Sequence, residues 1–224
     1  RFAIDRLESI LQNSTRLVVT NFPHNPTGYL PPREDFEALI DLLRQRNIPL
    51  LADEMYRFLE VNEEDRLPAA CDLYEQAVSL FGLSKTFGLP GLRIGWIATR
   101  NQTLSTRMGR LKDYTTICNS APSEFLATLA LRNKEKIVQR NLAIVRHNLS
   151  LLNSFFAAHD EIFAWIRPGA GSIAFPSLIG DRDVESFCLD LIEQEGVLLL
   201  PSTYFDYGAR NFRIGFGRRK MPEA

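Results

Sequence analysis

The sequence predicts an α/β fold, with a mostly parallel sheet in the first half of the chain and a smaller α+β unit after it. Two features carry this prediction. Short apolar and β-branched runs alternate with segments of helical period through the first half. Strands separated by helices favour a parallel sheet covered on both faces. Past a long helical stretch the pattern changes to short strands, closely spaced around a glycine-containing turn, with one further helix. The division falls near residue 145, giving units 1–145 and 146–224, the second reached through the long helix.

The elements follow in order. Residues 2–13 have helical spacing at Ile4, Leu7 and Leu11. Arg16–Thr20 is a short strand that runs into the turn residues from Asn21 to Gly28. Pro31 and Pro32 suit a helix start, and Phe36, Leu39, Ile40 and Leu43 mark one helical face to about Arg46. Ile48–Ala52, Ala77–Phe81 and Ile94–Thr99 are the next three strands. Ser120–Leu131 reads as a helix, with Pro122 in its first turn. From Lys134 to about Ala158, Val138, Leu142, Val145, Leu149, Leu152 and Phe156 recur at spacings of four and three. That stripe is a core face, a domain-spanning helix or a coiled-coil seam. Phe163–Ile166 and Ser172–Phe175 flank the turn at Pro168 to Gly171. A helix near 183–194 and strands near 197–200 and 212–216 complete the chain.

Composition narrows the function classes. A formal net charge of −1, with 24% charged residues and no basic run interleaved with aromatics, argues against nucleic acid as a partner. Cys71, Cys118 and Cys188 are odd in number and lack metal-ligand spacing, which suits a reducing compartment. No apolar run reaches spanning length, and the N-terminus lacks the charged-then-apolar order of a signal peptide. The expectation is a cytoplasmic protein with no membrane partner and no metal site.

Chemistry concentrates at the strand ends. The first strand delivers Asn25, the second Asp53 and Tyr56, the third Ser84 and Lys85. In open parallel sheets, ligands bind beyond the carboxyl ends of the strands. Each residue has a bland reading. Asn25-Pro26-Thr27-Gly28 is turn chemistry, Asp53 could cap a helix, and Tyr56 could simply pack. Lys85 lies in the apolar, glycine-studded stretch 79–96, where an amine is costly to bury. It is either a snorkelling surface lysine or an amine nucleophile of the kind that forms Schiff bases with carbonyls. Together, an amine, a carboxylate, a phenol and an amide match what a pyridoxal 5′-phosphate site requires. Arg93 suits a phosphate or a surface ion pair. Arg213, inside an apolar strand, needs a partner: a substrate carboxylate or an internal acid.

Four ordered motifs carry a family resemblance. They are the Asn21–Gly28 run around Asn25, the Ala52-Asp53-Glu54-Met55-Tyr56 segment, Ser84-Lys85 through Arg93 to Trp96, and Phe212-Arg213-Ile214-Gly215-Phe216. Over nearly its whole length the chain resembles the class I/II aminotransferases, pyridoxal phosphate enzymes of the aspartate aminotransferase fold. The resemblance implies that Lys85 is the Schiff-base lysine and Asp53 the partner of the pyridine nitrogen. It implies that Tyr56 and Asn25 bond the ring oxygen, Ser84 and Arg93 hold the phosphate, and Arg213 clamps the substrate carboxylate. It also implies a cis Asn25–Pro26 bond, amino acid and 2-oxo acid substrates, and a homodimer.

The chain departs from the family pattern in two ways. Gly82 stands where members often carry a further phosphate-binding serine. The family's glycine-rich loop, its ring-stacking aromatic, the tyrosine from a partner subunit and the final helix have no counterpart, so the resemblance reads the chain as truncated at both ends. Other readings remain open on the residues alone. A C–S lyase, decarboxylase, racemase or other pyridoxal phosphate enzyme of this fold would share every residue named. A non-catalytic sensor domain would keep Lys85, Asp53 and Arg93. A nucleotide-binding loop at Gly82–Thr86 lacks the required glycine spacing.

Overall fold

The computed structural model describes residues 3–223, and its first half is built around one four-stranded sheet. Helix α1 (Ile4–Ile10) leads to strand β1 (Val18–Asn21) and helix α2 (Arg33–Arg46). Proline at the α2 N-cap, acids Glu34 and Asp35 in its first turn and basic Arg44 and Arg46 in its last all suit the helix dipole. Asn47, in the left-handed region, stops it. Strand β2 (Leu50–Asp53), the short helix α3 (Ala70–Leu73), β3 (Ala77–Gly82) and β4 (Gly95–Ala98) follow. The order is β1-β2-β3-β4, the first three strands parallel and β4 antiparallel to β3. The mostly parallel α/β expectation holds.

The sheet is covered on one face rather than both. Phe36, Leu39, Ile40 and Leu43 of α2 pack on Leu50, Ala52 and Ala77. The opposite face carries Val19, Leu51 and the buried Val78 in one row across the strands, and Leu80 beside Ile97 in the next. Val19 is 62% and Ile97 51% exposed, while Leu51 and Leu80 are half-buried. The strands are apolar on both sides, as the sequence requires of a doubly covered sheet. The described chain supplies only one layer over their middle.

Helices α4 (Gln102–Thr115), α5 (Ala121–Arg132) and α6 (Lys134–Ala158) come next. Helix α4 is not among the elements read from the sequence. Asn101 caps it by accepting from Leu104 N, and none of its residues is buried. In α6 all six stripe residues, Val138 through Phe156, are buried, which makes the stripe a core face. His147, off the stripe, is exposed.

The remaining elements are β5 (Phe163–Ala164), β6 (Ile173–Ala174), β7 (Ser177–Leu178), α7 (Val184–Glu195), β8 (Leu200–Pro201) and β9 (Phe212–Gly215). They form a β5-β7 pair and an antiparallel β6-β9-β8 sheet, with Asp183 capping α7 and Gly196 ending it. Their core gathers Leu149, Leu152 and Phe156 of α6 with Phe163, Leu178, Phe212 and Phe216. The turn at 168–171 is among the links that hold this unit against the sheet. Gly169 and Ala170 donate to the Gly28 carbonyl, and Glu60 bridges Ala170.

Candidate active site

The first strand end is shaped by an amide. Asn21 closes β1 and its Oδ1 accepts from Asn25 N at 2.7 Å, so the loop folds back over the strand end. Both Phe22–Pro23 and Asn25–Pro26 are cis. Gly28 sits at φ +66°, and a Cβ there would lie 2.3 Å from Pro168 Cβ, so only glycine admits the 168–171 turn.

Asp53 ends β2, with Oδ1 accepting from Met55 N at 3.0 Å. That bond opens a turn which buries Tyr56 to 4% exposure. Burial pushes the Tyr56 phenol up; nearby Arg213 pulls it down, and Asp53 adds to the rise. Gly171, at φ +83°, leaves the room Tyr56 occupies: a Cβ there would stand 3.3 Å from the ring.

Lys85 stands after β3, in a loop closed by Leu83 N to Ile94 O (3.1 Å) and Leu89 N to Leu83 O (3.0 Å). The apolar stretch around it does not bury the lysine. Leu83, Thr86 and Phe87 turn into the core while the Lys85 side chain is exposed. Its Nζ lies 5.7 Å from the Tyr56 ring centroid. Ser84 is half-buried on the same loop. Arg93, at φ +53°, is exposed and donates to Pro90 O at 3.0 Å, so its guanidinium bonds within its own loop. At Gly82 a Cβ would lie 3.1 Å from both Gly95 Cα and Ile94 O, and the β4 backbone leaves little room for a serine there.

Arg213 lies on β9, far along the chain from the other residues. Its Nη1 donates to Asn25 Oδ1 at 3.3 Å, and its guanidinium lies 5.6 Å from the Phe205 ring. Among the described residues neither Arg213 nor Lys85 has a carboxylate partner, so the internal acid considered for Arg213 is not realised. The structure therefore joins Lys85 to Tyr56, Tyr56 to Asp53 through their turn, and Arg213 to Asn25. Sequence reasoning missed Asn21 and Phe205. Only an amide at a strand end, four residues before Asn25, signalled the first; Phe205 ends a short 3-10 turn and left no mark.

A family model described as aminotransferase class I and II matches residues 2–223. The chain belongs to the class I and II aminotransferase family. Capreomycidine synthase from Streptomyces vinaceus is 33% identical over 95% of this chain and 54% of its own length. The L-aspartate:5-guanidino-3-methyl-2-oxopentanoate transaminase of Pseudomonas syringae pv. syringae is 29% identical over 94% of this chain and 53% of its own. The crystal structure of a PLP-dependent aminotransferase from Streptococcus suis 89-1591 superposes with a TM-score of 0.91 at 30% identity, covering 97% of this chain and 57% of that one. The chain spans about half the length of the curated relatives it matches.

Pyridoxal 5′-phosphate is the cofactor of this aminotransferase family. The donor set at the strand ends fits it: an unpaired exposed amine, a carboxylate at the neighbouring strand end, a buried phenol between them and an amide beyond.

Proposed function

We propose that the whole protein is a pyridoxal-phosphate-dependent aminotransferase, moving an amino group between an amino acid and a 2-oxo acid. The observation that carries this reading is Arg213, a half-buried guanidinium with no acid beside it among the described residues, bonded to Asn25 within reach of Tyr56. A planar fork without an internal carboxylate suits a substrate carboxylate, held bidentately while Asn25 fixes its orientation.

Bound at these residues, the cofactor would supply an electron sink for the substrate α-carbon. Lys85 would hold it covalently and, once freed, carry the proton to and from that carbon. Asp53 would keep the pyridine nitrogen protonated. Tyr56, with Asn25, would donate to the ring oxygen; its raised pKa keeps the phenol a donor at neutral pH. Ser84 and Arg93 would hold the phosphate, Arg93 exchanging its Pro90 carbonyl for a stronger anionic acceptor. We assign residues 1–145 to the cofactor-binding domain and 146–224 to a smaller one. The protein works as a homodimer, in the cytoplasm, where Cys71, Cys118 and Cys188 remain free thiols.

One relative acts on a guanidino-bearing 2-oxo acid by name and another is named a synthase, so the donor panel includes aspartate and arginine. In the whole protein, borohydride reduction should fix a pyridoxyl mass on the peptide containing Lys85, and Lys85→Ala should abolish it. At least one donor should yield its 2-oxo acid with conversion of the cofactor to the amine form. Trapping on another lysine defeats the site assignment. Release of an elimination or decarboxylation product instead of the 2-oxo acid defeats transamination.

A further inference from the structure

Tyr56 and Lys85 come from different strand ends, and the backbone does little to fix their separation. The β2–β3 ladder ends where Glu54 N donates to Leu80 O at 2.9 Å. Beyond it, among the described residues, no backbone hydrogen bond joins the turn 55–60 to the loop 83–88. One side chain does. Thr86, the residue after Lys85, is fully buried, and its Oγ1 donates to Arg57 O at 2.6 Å, with Met55 O at 3.4 Å. Those two carbonyls flank Tyr56. On its other side, the Thr86 carbonyl accepts from Asn141 Nδ2 of α6 at 2.9 Å.

We infer that Thr86 is a positioning residue: its hydroxyl pins the Lys85 loop to the Tyr56 turn, while Asn141 holds the same residue on α6. The catalytic part of this inference rests on the function proposed above. A threonine that only satisfied itself would bond within its own segment, as the exposed Thr128 and Thr115 do to carbonyls four residues earlier. Thr86 instead spends its single proton across two loops. Valine would keep the shape and lose the pin; serine would keep the pin. Losing one such bond loosens a local opening equilibrium by about fivefold.

The test uses the whole protein in Thr86→Val, Thr86→Ser and Asn141→Ala forms. The first readout needs no cofactor: amide hydrogen exchange at Gly88 and Leu89 of the lysine loop, and at Arg57 and Leu59 of the tyrosine turn. Thr86→Val should speed both groups together by about fivefold, and Thr86→Ser should restore them. Asn141→Ala should speed the lysine loop alone. In the loaded enzyme, Thr86→Val should lower kcat at least about fivefold while KM stays within about twofold, since the pin acts on chemistry rather than substrate capture. Faster exchange in the lysine loop with an unchanged tyrosine turn would overturn the inference, as would failure of serine to rescue. Should Thr86→Val not fold, Thr86→Ser and Asn141→Ala still decide: wild-type exchange in both loops of the latter would refute the arrangement. If trapping shows that Lys85 does not hold the cofactor, the function falls while the exchange result on Thr86 stands.

Discussion

Glu54 follows Asp53 in the chain and faces the opposite way. Strand alternation sends Asp53 to the crevice and Glu54 toward the buried side of the sheet. There its Oε1 accepts from Ser79 Oγ at 2.7 Å and Ala70 N at 2.9 Å, and Arg57 Nη1 stands 3.5 Å from Oε2. Burial raises its pKa above the usual carboxylate range, and the hydrogen bonds and Arg57 offset only part of that. The folded state therefore holds the Glu54 proton more tightly than the unfolded chain does. As pH rises past the ordinary glutamate value of about 4.3, the unfolded chain loses its proton first, which lowers its free energy relative to the folded state. Wild-type stability relative to Glu54→Gln should thus be greatest below that pH and decline through the window above it. Urea denaturation midpoints of the two proteins across that range measure the slope. A wild-type advantage that grows with pH would mean that Ser79, Ala70 and Arg57 outweigh desolvation. That Asp53 stands at a strand end was legible in the sequence, where only the family resemblance gave it a role. The bond from Arg213 to Asn25 was not, since 188 residues separate them and nothing local records the approach.

At the scale of elements, helix α6 was legible almost to the residue. Its spacings of four and three match the helical period, and every stripe position is buried. Leu149, 1% exposed, packs among residues of the C-terminal unit. Leu149→Ala should cost about 3 kcal/mol, the usual scale for a leucine truncated in a packed core. His147→Ala, two positions away on the exposed side, should stay within about 0.5 kcal/mol. Equal losses in denaturation would show that the stripe is not the core face. Helix α4 carries a shorter version of the same signal, Leu104, Met108 and Leu111 at spacings of four and three, which the sequence reading passed over, and none of its residues is buried. The antiparallel setting of β4 follows from its connection. Only the Lys85 loop joins β3 to β4, and it contains no α-helix that could cross over the sheet. A chemical motif thus occupies the place where a crossover would otherwise be read.

Across the whole molecule, the expectation that met correction was a sheet covered on both faces. The strand sequences are consistent with it, since Val18 and Val19, Leu50 and Leu51, and Leu80 with Phe81 put apolar side chains on both sides. Periodicity shows that a face is apolar but says nothing of which segment covers it. In the described chain α2 covers one face, and Val19 and Ile97 stand open on the other. Helices α4 and α5 and the link between them add Tyr114 at 92%, Ile117 at 76% and Phe125 at 65% exposure. Apolar surface gathered this way on a folded chain binds hydrophobic probes. The 224-residue chain should therefore enhance the fluorescence of an anilinonaphthalene dye while its circular dichroism remains that of a folded α/β protein. Val19→Lys with Ile97→Lys should remove a large part of that signal. Both side chains are already in water, so the double variant should unfold within about 0.5 kcal/mol of the wild type. Dye binding that survives both lysines at full strength would place the sticky surface elsewhere, on α4 and α5. A large loss of stability would mean that Val19 and Ile97 are covered in solution by something that holds the sheet together.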